Sequence, residues 1–261
     1  MRRPLQPGWR RAQTALLPPL VATIAVLALV EIAQRLHLLP VFIPAPSQVI
    51  GVVIAQPRLL TQNVGPTVAK AAGGFAAAFC IALIAMMLTS AIRWLKAPVF
   101  NAGVVLNAIP VIATAPLLAL WLGTGPSLQV VIAAMSCQFP ILVGMMRGMD
   151  AADHQRRELF HILSASKLQT FRRLLLPASL PYVFAGLKIA APAALLGTIT
   201  AEWAGASNGV GAMMLYALFS YNIETVWLSV LVTCILSACA YALCELAERK
   251  IVYWIRDGDL K

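Results

Sequence analysis

The sequence predicts an all-α membrane protein of six transmembrane helices. Three observations carry this. Of the 261 residues, 60% are hydrophobic and only 11% are charged, against about 25% charged in a soluble domain. The mean hydropathy is +0.81, and the charges fall between long charge-free runs. A spanning helix needs about 20 apolar residues to cross about 30 Å of hydrocarbon, so the chain holds several spans and no large soluble domain. A soluble enzyme is thereby disfavoured. The 20 Lys and Arg against 10 Asp and Glu, net +10, would suggest nucleic acid on a soluble protein. Lying between apolar runs, they suggest membrane topology instead, and nucleic acid is not an expected partner.

The elements follow in order. Ala12 to Val30 carries no charge and predicts a first span over about 14–36. Arg2, Arg3, Arg10 and Arg11 precede it as in a secretion signal, but the segment has full membrane length and no convincing small-x-small site follows it, so it is expected to stay uncleaved. Leu36 to Pro57 is also charge-free, yet Pro40, Pro44, Pro46 and Pro57 interrupt it. Unsatisfied backbone is prohibitive in lipid, which predicts an external loop with a short interfacial helix. Ala71 to Ile92 predicts a second span over about 67–91. The run Ala97 to Met146 is too long for one helix and breaks at Gly123-Thr124-Gly125-Pro126-Ser127. It predicts spans over about 98–121 and 127–147 joined by a tight hairpin. Ile189 to Ala201 extends back to Tyr182 if Lys188 snorkels, giving a fifth span over about 182–202, and Thr225 to Cys244 gives a sixth over about 225–246. The chain 1–261 is thus read as one membrane domain.

Smaller features fit these spans. Cys80, Cys137, Cys234, Cys239 and Cys244 all fall within them and are expected to act as small apolar residues rather than as disulfides or metal ligands. Pro110 and Pro116 should perturb the third span, serving either the pathway or packing alone. Gly144 and Gly148 form Gly-x-x-x-Gly, for which intramolecular helix packing is the simpler use. Trp94, Trp254 and Trp203 sit where an aromatic belt would be, and Trp121 suits belt or cavity lining. Glu31, Glu202, Glu224 and Glu245 fall near span ends and read as interface residues.

Lys and Arg concentrate on cytoplasmic loops. With the N-terminus inside, sixteen of the 20 fall on the inner side, while Arg35, Arg58 and Lys70 fall outside and Lys188 lies in the fifth span. Both termini are therefore expected in the cytoplasm.

The connection 148–181 is the longest polar stretch. Leu159, Ile162 and Leu163 recur at helical spacing opposite Arg156, Arg157 and His161. Ser164-Ala165-Ser166 supplies a turn, and Ser166 with Gln169 forms a Ser-x-x-Gln capping box for a second short helix bearing Leu168, Phe171 and Leu175. Pro177 is expected to end it. Periodicity leaves two readings open: a docking knob for another protein, or a helix pair lying on anionic headgroups.

The run from Glu158 through Leu163, Ser164, Ala165, Ser166, Phe171, Leu176, Pro177, Leu180 and Pro181 to Gly186-Leu187-Lys188 resembles the EAA loop of permease subunits of bacterial ATP-binding-cassette importers. Ile109-Pro110-Val111-Ile112-Ala113 with Pro116, Trp121-Leu122-Gly123-Thr124-Gly125, and Glu202-Trp203-Ala204-Gly205-Ala206-Ser207 are similar to the branch importing nitrate, sulfonates, taurine and pyrimidine precursors. Pro44-Ala45-Pro46-Ser47 resembles that branch's first external loop, so the likeness covers nearly the whole chain. The family pattern has two alanines after the glutamate and a glycine six residues after it; here Leu159, Phe160 and Ser164 stand instead. Serine tolerates positive φ less well than glycine, which bears on the coupling and on the identity of the partner ATPase.

The resemblance implies a type I importer permease in a bacterial inner membrane, working by alternating access, with a coupling helix in the loop. It implies a homodimer, two cytoplasmic ATPase subunits that consume the ATP, an extracytoplasmic solute-binding protein and surrounding lipid, with no cofactor in this chain. Glu158, Leu163, Ser164, Ala165, Ser166, Leu176 and Pro177 would couple to the ATPase. Asn107, Pro110 and Trp121, as polar or kinking residues of the third span, are candidates for the translocation pathway, together with Glu202 and Trp203. The sequence agrees that energy must come from elsewhere: it has no Gly-x-x-x-x-Gly-Lys-Ser/Thr phosphate loop and no paired carboxylates deep in the spans. Glu202-Trp203 looks most similar to permeases for hydroxymethylpyrimidine and related thiamine precursors, with riboflavin transporters close by. Few fixed charges line the spans, which favours a neutral heteroaromatic over phosphate or nitrate; a sulfonate, taurine or nitrate importer is the alternative within the same class, with sulfonates the runner-up. A stand-alone carrier or scaffold is the reading from another class. Gly205-Ala206-Ser207-Asn208-Gly209 matches Gly-x-Ser-x-Gly, but His37, His154 and His161 all precede Ser207, whereas a hydrolase needs a strand before the serine and a histidine after it.

Overall fold

The computed structural model describes residues 8–151, 158–160 and 162–254, and among them every regular element is helical. In chain order these are α1 (Gly8–Arg35), α2 (Pro46–Ala55), α3 (Pro57–Ala91), α4 (Lys96–Ala108), α5 (Val111–Leu122), α6 (Pro126–Asp150), α7 (Leu176–Glu202), α8 (Val210–Phe219) and α9 (Ile223–Ile251). Four helical stretches among the described residues are long and apolar enough to cross a membrane, and α4 with α5 makes a fifth if the bent pair is one span. The 28-residue α1 stands outside that count.

The third expected span, 98–121, is not one helix. Its two parts meet at 94°. Pro110 explains the break: it lacks an N–H, and its ring disfavours helical geometry at the preceding residue. Ile109 is extended at φ −71°, ψ 123°. Pro116, by contrast, is accommodated inside α5. The second and fifth spans begin earlier than expected, because α3 runs from Pro57 and the fifth helical stretch from Phe171. Pro177 does not end a helix. It sits in the first turn of α7, directly after a widened π-turn at Phe171–Leu175. The wider turn relieves the clash between the proline ring and the carbonyl four residues back, so helix continues to Glu202. The short helix expected between Leu36 and Pro57 is α2, whose start is tied to α1 by Glu31: its carboxylate accepts from the Ser47 amide at 3.0 Å and hydroxyl at 2.8 Å.

α6 is the central helix. Cys137, Ile141, Leu142, Met145 and Met146 pack against Ala78 and Ala82 of α3 and Ala190 and Ala194 of α7. Small residues set these spacings. A Cβ on Gly144 would lie 2.7 Å from the Tyr182 carbonyl, and one on Gly148 would lie 2.9 Å from Ser179. Both glycines of the Gly-x-x-x-Gly motif therefore serve packing within the chain. A second core joins Val49 of α2, Val210 and Met213 of α8, and Leu228 and Val232 of α9. The outward sides of the helices stay apolar, as at Ile24, Ile84, Ile235 and Leu243, which suits contact with hydrocarbon.

Candidate functional site

α3 carries Asn63, Thr67 and Lys70 at helical spacing, one above the other on a face that meets the end of α7 and the start of α8. Between α7 and α8 the chain turns through Gly205 at φ 112° and Gly209 at φ 127°. Gly209 is required twice over, since that backbone angle is strained for any L side chain and a Cβ there would overlap the Glu202 carboxylate. Glycine offers no side chain to cap α8, and the orphan amides of that helix end are satisfied from other elements. The Gly209 amide donates to Asn63 Oδ1 at 2.9 Å, the Val210 amide to Thr67 Oγ1 at 2.8 Å, and the Gly211 amide to Glu202 Oε2 at 2.8 Å.

Glu202 closes the knot. Its Oε1 accepts from the Thr67 hydroxyl at 2.8 Å and lies 2.9 Å from Lys70 Nζ, which also donates to the Asn208 carbonyl at 3.1 Å. Glu202 is fully buried, and Lys70 and Glu202 are the only buried charged residues among those described. A buried charge is tolerable only when paired and fully hydrogen-bonded. This carboxylate has both, and it faces the favourable end of the α8 dipole. The interface position expected for Glu202 is therefore corrected: the residue sits inside the bundle. Lys70 likewise belongs to α3 rather than to an outer surface. Lys188 is not a lone snorkelling cation either, because its Nζ meets Glu248 Oε2 at 2.6 Å and so links α7 to α9.

The connection between α7 and α9 is thus a pinned turn followed by α8. Ser207 is exposed in that turn, with no strand before it, so the Gly-x-Ser-x-Gly match lacks its hydrolase setting.

At the opposite end of α7 lies the connection from α6. The basic face expected from Arg156, Arg157 and His161 falls outside the described residues. Glu158–Phe160 is helical, and the chain leaves it through Ser164 at φ 52°. The Ala165 amide reaches back to the Phe160 carbonyl at 3.0 Å, the six-to-one bond of a glycine-type helix end formed here by serine. Ser166 and Gln169 then make the anticipated capping box, Ser166 N to Gln169 Oε1 at 2.9 Å and Gln169 N to Ser166 Oγ at 3.2 Å. Leu159, Ile162 and Leu163 are exposed by 52%, 73% and 67%, so this ridge is not buried within the chain. Leu176 is 40% exposed and Pro177 lies in the first turn of α7. Ser164→Gly should relieve about 1 kcal/mol of left-handed strain, measurable as slower hydrogen exchange at the Ala165 amide.

Asn107, Pro110 and Trp121 are all exposed on the α4–α5 pair, Trp121 by 83%. Trp203 is 39% exposed beside the buried Glu202. Among the described residues no hydrogen bond or ion pair joins the first three to the last two. Asn63, Thr67 and Lys70 were not singled out by sequence as a site. The available signal was three polar side chains at helical spacing entering an otherwise apolar helix.

Residues 74–253 match the family model of the binding-protein-dependent transport system inner membrane component. The chain is similar to the formylaminopyrimidine transport permease protein ThiX of Halalkalibacterium halodurans, 28% identical over 91% of this chain and 96% of that one. It is 30% identical to the riboflavin transport system permease protein RibX of Chloroflexus aurantiacus over 82% of this chain and 81% of that one. A Bacillus subtilis permease named for aliphatic sulfonates, SsuC, is 27% identical over 57% of this chain and 54% of its own.

Proposed function

The chain belongs to the family of binding-protein-dependent transport system inner membrane components, and from that premise we propose that it forms the solute pathway of an ATP-driven importer for a small neutral heteroaromatic. It is a multi-pass transport permease of the inner membrane, and its family implies an ATPase and a solute-binding protein as partners. In our reading it spans the membrane six times with both termini cytoplasmic, pairs with a second copy, is embedded in lipid, and leaves ATP consumption to two ATPase subunits. The loop 148–181 docks on them through Glu158, Leu163, Ser164, Ala165 and Ser166, and Leu176 and Pro177 pass the motion into α7. Asn107, Pro110 and Trp121 border the pathway, and Glu202 with Trp203 frames its outer end.

The observation that carries the coupling role is the exposed Leu159–Ile162–Leu163 ridge, followed directly by a closed helix end and a capping box. A tagged chain purified in mild detergent should bring down an ATP-binding-cassette subunit with ATPase activity. Glu158→Lys with Ser164→Trp should abolish both the association and uptake. Recovery of the chain alone across several detergents would favour a stand-alone carrier or scaffold.

For the solute, a pyrimidine or thiamine precursor or a riboflavin-like compound is favoured over sulfonate, taurine or nitrate. The relatives named for formylaminopyrimidine and riboflavin align along most of this chain, the sulfonate relative along about half. Among the described residues the buried charges, Lys70 and Glu202, neutralise each other, leaving no unpaired buried cation there for an anionic solute.

A further inference from the structure

α6 carries Arg147 and Asp150 in its last turn. At 1.5 Å per residue Arg147 lies about 31 Å along the axis from Pro126, close to the roughly 30 Å of hydrocarbon that a span must cross. In the orientation proposed above, that places its guanidinium at the level of the inner-leaflet headgroups. Lys96, the first residue of α4, meets the same turn: its Nζ lies 2.7 Å from Asp150 Oδ1 and 2.6 Å from Oδ2. That cation and that carboxylate offset each other, and the charge of Arg147 is left over. Arg147 is exposed, and its side chain makes no hydrogen bond or ion pair with the described residues.

The three charged groups border an open cleft between α4 and α6. Its other side is apolar. Trp94 and Phe100 are exposed by 74% and 38%, Val143 lines the cleft with them, and Phe100 is braced by Phe139 at a ring-centroid separation of 6.0 Å. Asn101 adds an exposed amide that no described residue engages. A soluble anion would use the guanidinium and leave both rings in water. A molecule with a phosphate at one end and hydrocarbon at the other uses the whole cleft. The planar fork of arginine matches two phosphodiester oxygens, an indole suits the boundary between headgroup and acyl chain, and basic pockets between spans on the cytoplasmic side attract anionic headgroups. Openness toward the bilayer lets such a molecule enter sideways.

We propose that this cleft binds one anionic phospholipid of the inner leaflet, with its phosphodiester on the Arg147 guanidinium, its headgroup reached by the Asn101 amide, and an acyl chain laid along Trp94, Phe100 and Val143. The Lys96–Asp150 pair is exposed on both sides and alone holds α4 to α6 only weakly there, so a lipid seated beside it adds a second tie across that seam. The site rests on the proposed orientation of α6 and not on the identity of the solute.

The test titrates the tagged chain, purified with its ATPase in mild detergent, with phosphatidylglycerol and with phosphatidylcholine, and reads binding by native mass spectrometry. Co-purified ATPase serves as the assembly control. Phosphatidylglycerol should bind about 10-fold more tightly than phosphatidylcholine, and Arg147→Gln should abolish that preference. Arg147→Lys keeps the charge without the fork and should retain part of it. Lys250→Gln removes an exposed cation at the end of α9 and should bind as the unaltered chain does. Inorganic phosphate should not displace the lipid. Equal binding of the two lipids, or equal loss in Arg147→Gln and Lys250→Gln, would overturn the site in favour of diffuse surface charge. Displacement by inorganic phosphate would overturn it in favour of a soluble anion. Each of these with the ATPase still attached would leave the importer reading intact, whereas selective lipid binding by a chain that brings down no ATPase would overturn the importer reading and keep the site.

Discussion

Glu202→Ala is expected to destabilise the protein by about 3–5 kcal/mol, the range for removing one partner of a buried ion pair. The loss has several parts. Lys70 would stay at 7% exposure with no counter-charge, the Gly211 amide would lose its acceptor, and the Thr67 hydroxyl would be left with the longer contact to the Asn63 carbonyl alone. Lys70→Met should cost less, since Glu202 would keep two of its hydrogen bonds. The double variant Glu202→Leu with Lys70→Met should recover part of the loss, because well-packed apolar replacements of a buried pair are often neutral. Thermal unfolding of the purified protein in mild detergent, arranged as a double-mutant cycle, gives the coupling. A value below about 0.5 kcal/mol would mean the pair is no more coupled than distant independent sites.

The knot shows where sequence reading stops. Charge-free runs announced the long apolar helices α3, α6, α7 and α9 because composition is a local property. The Ser166–Gln169 capping box was legible for the same reason, its partners being three residues apart. The Thr67–Glu202 bond spans 135 positions and the Lys188–Glu248 bond 60, and no periodicity pairs such residues. Glu202 therefore read as an interface carboxylate and Lys70 as an outer charge. Prolines divided in the same way. Pro110 and Pro177 each announce a disturbed helix, but whether the chain bends by 94° or absorbs the ring in a π-turn depends on what packs around it. Ser164 is an intermediate case. Its place in the loop motif marked a left-handed residue, and φ 52° follows, but the strain it carries is visible only in the folded backbone.

Gly186→Val should prevent stable folding, whereas Gly51→Ala should raise stability by up to about 1 kcal/mol, the helix-propensity gain of alanine over glycine. Both glycines lie inside helices, α7 and α2, and differ in what surrounds them. At Gly186 a Cβ would sit 2.5 Å from the Pro140 carbonyl oxygen and 3.3 Å from the Gly144 Cα. Those atoms are backbone and cannot swing away, so α6 and α7 would have to separate along the seam that holds Cys137, Ile141, Met145, Ala190 and Ala194. Overpacking typically costs 1–3 kcal/mol where side chains can yield, and here the main chain itself must move. A β-branched residue adds a second heavy atom that no rotamer can remove from the seam. At Gly51, an exposed position inside α2, nothing lies within 4 Å of the added carbon, so the methyl meets no obstacle and the unfolded chain loses freedom. Yield of the monodisperse complex and unfolding temperature, measured side by side, separate the cases. Equal behaviour of the two variants would mean that α6 and α7 do not pack through their backbones at this seam.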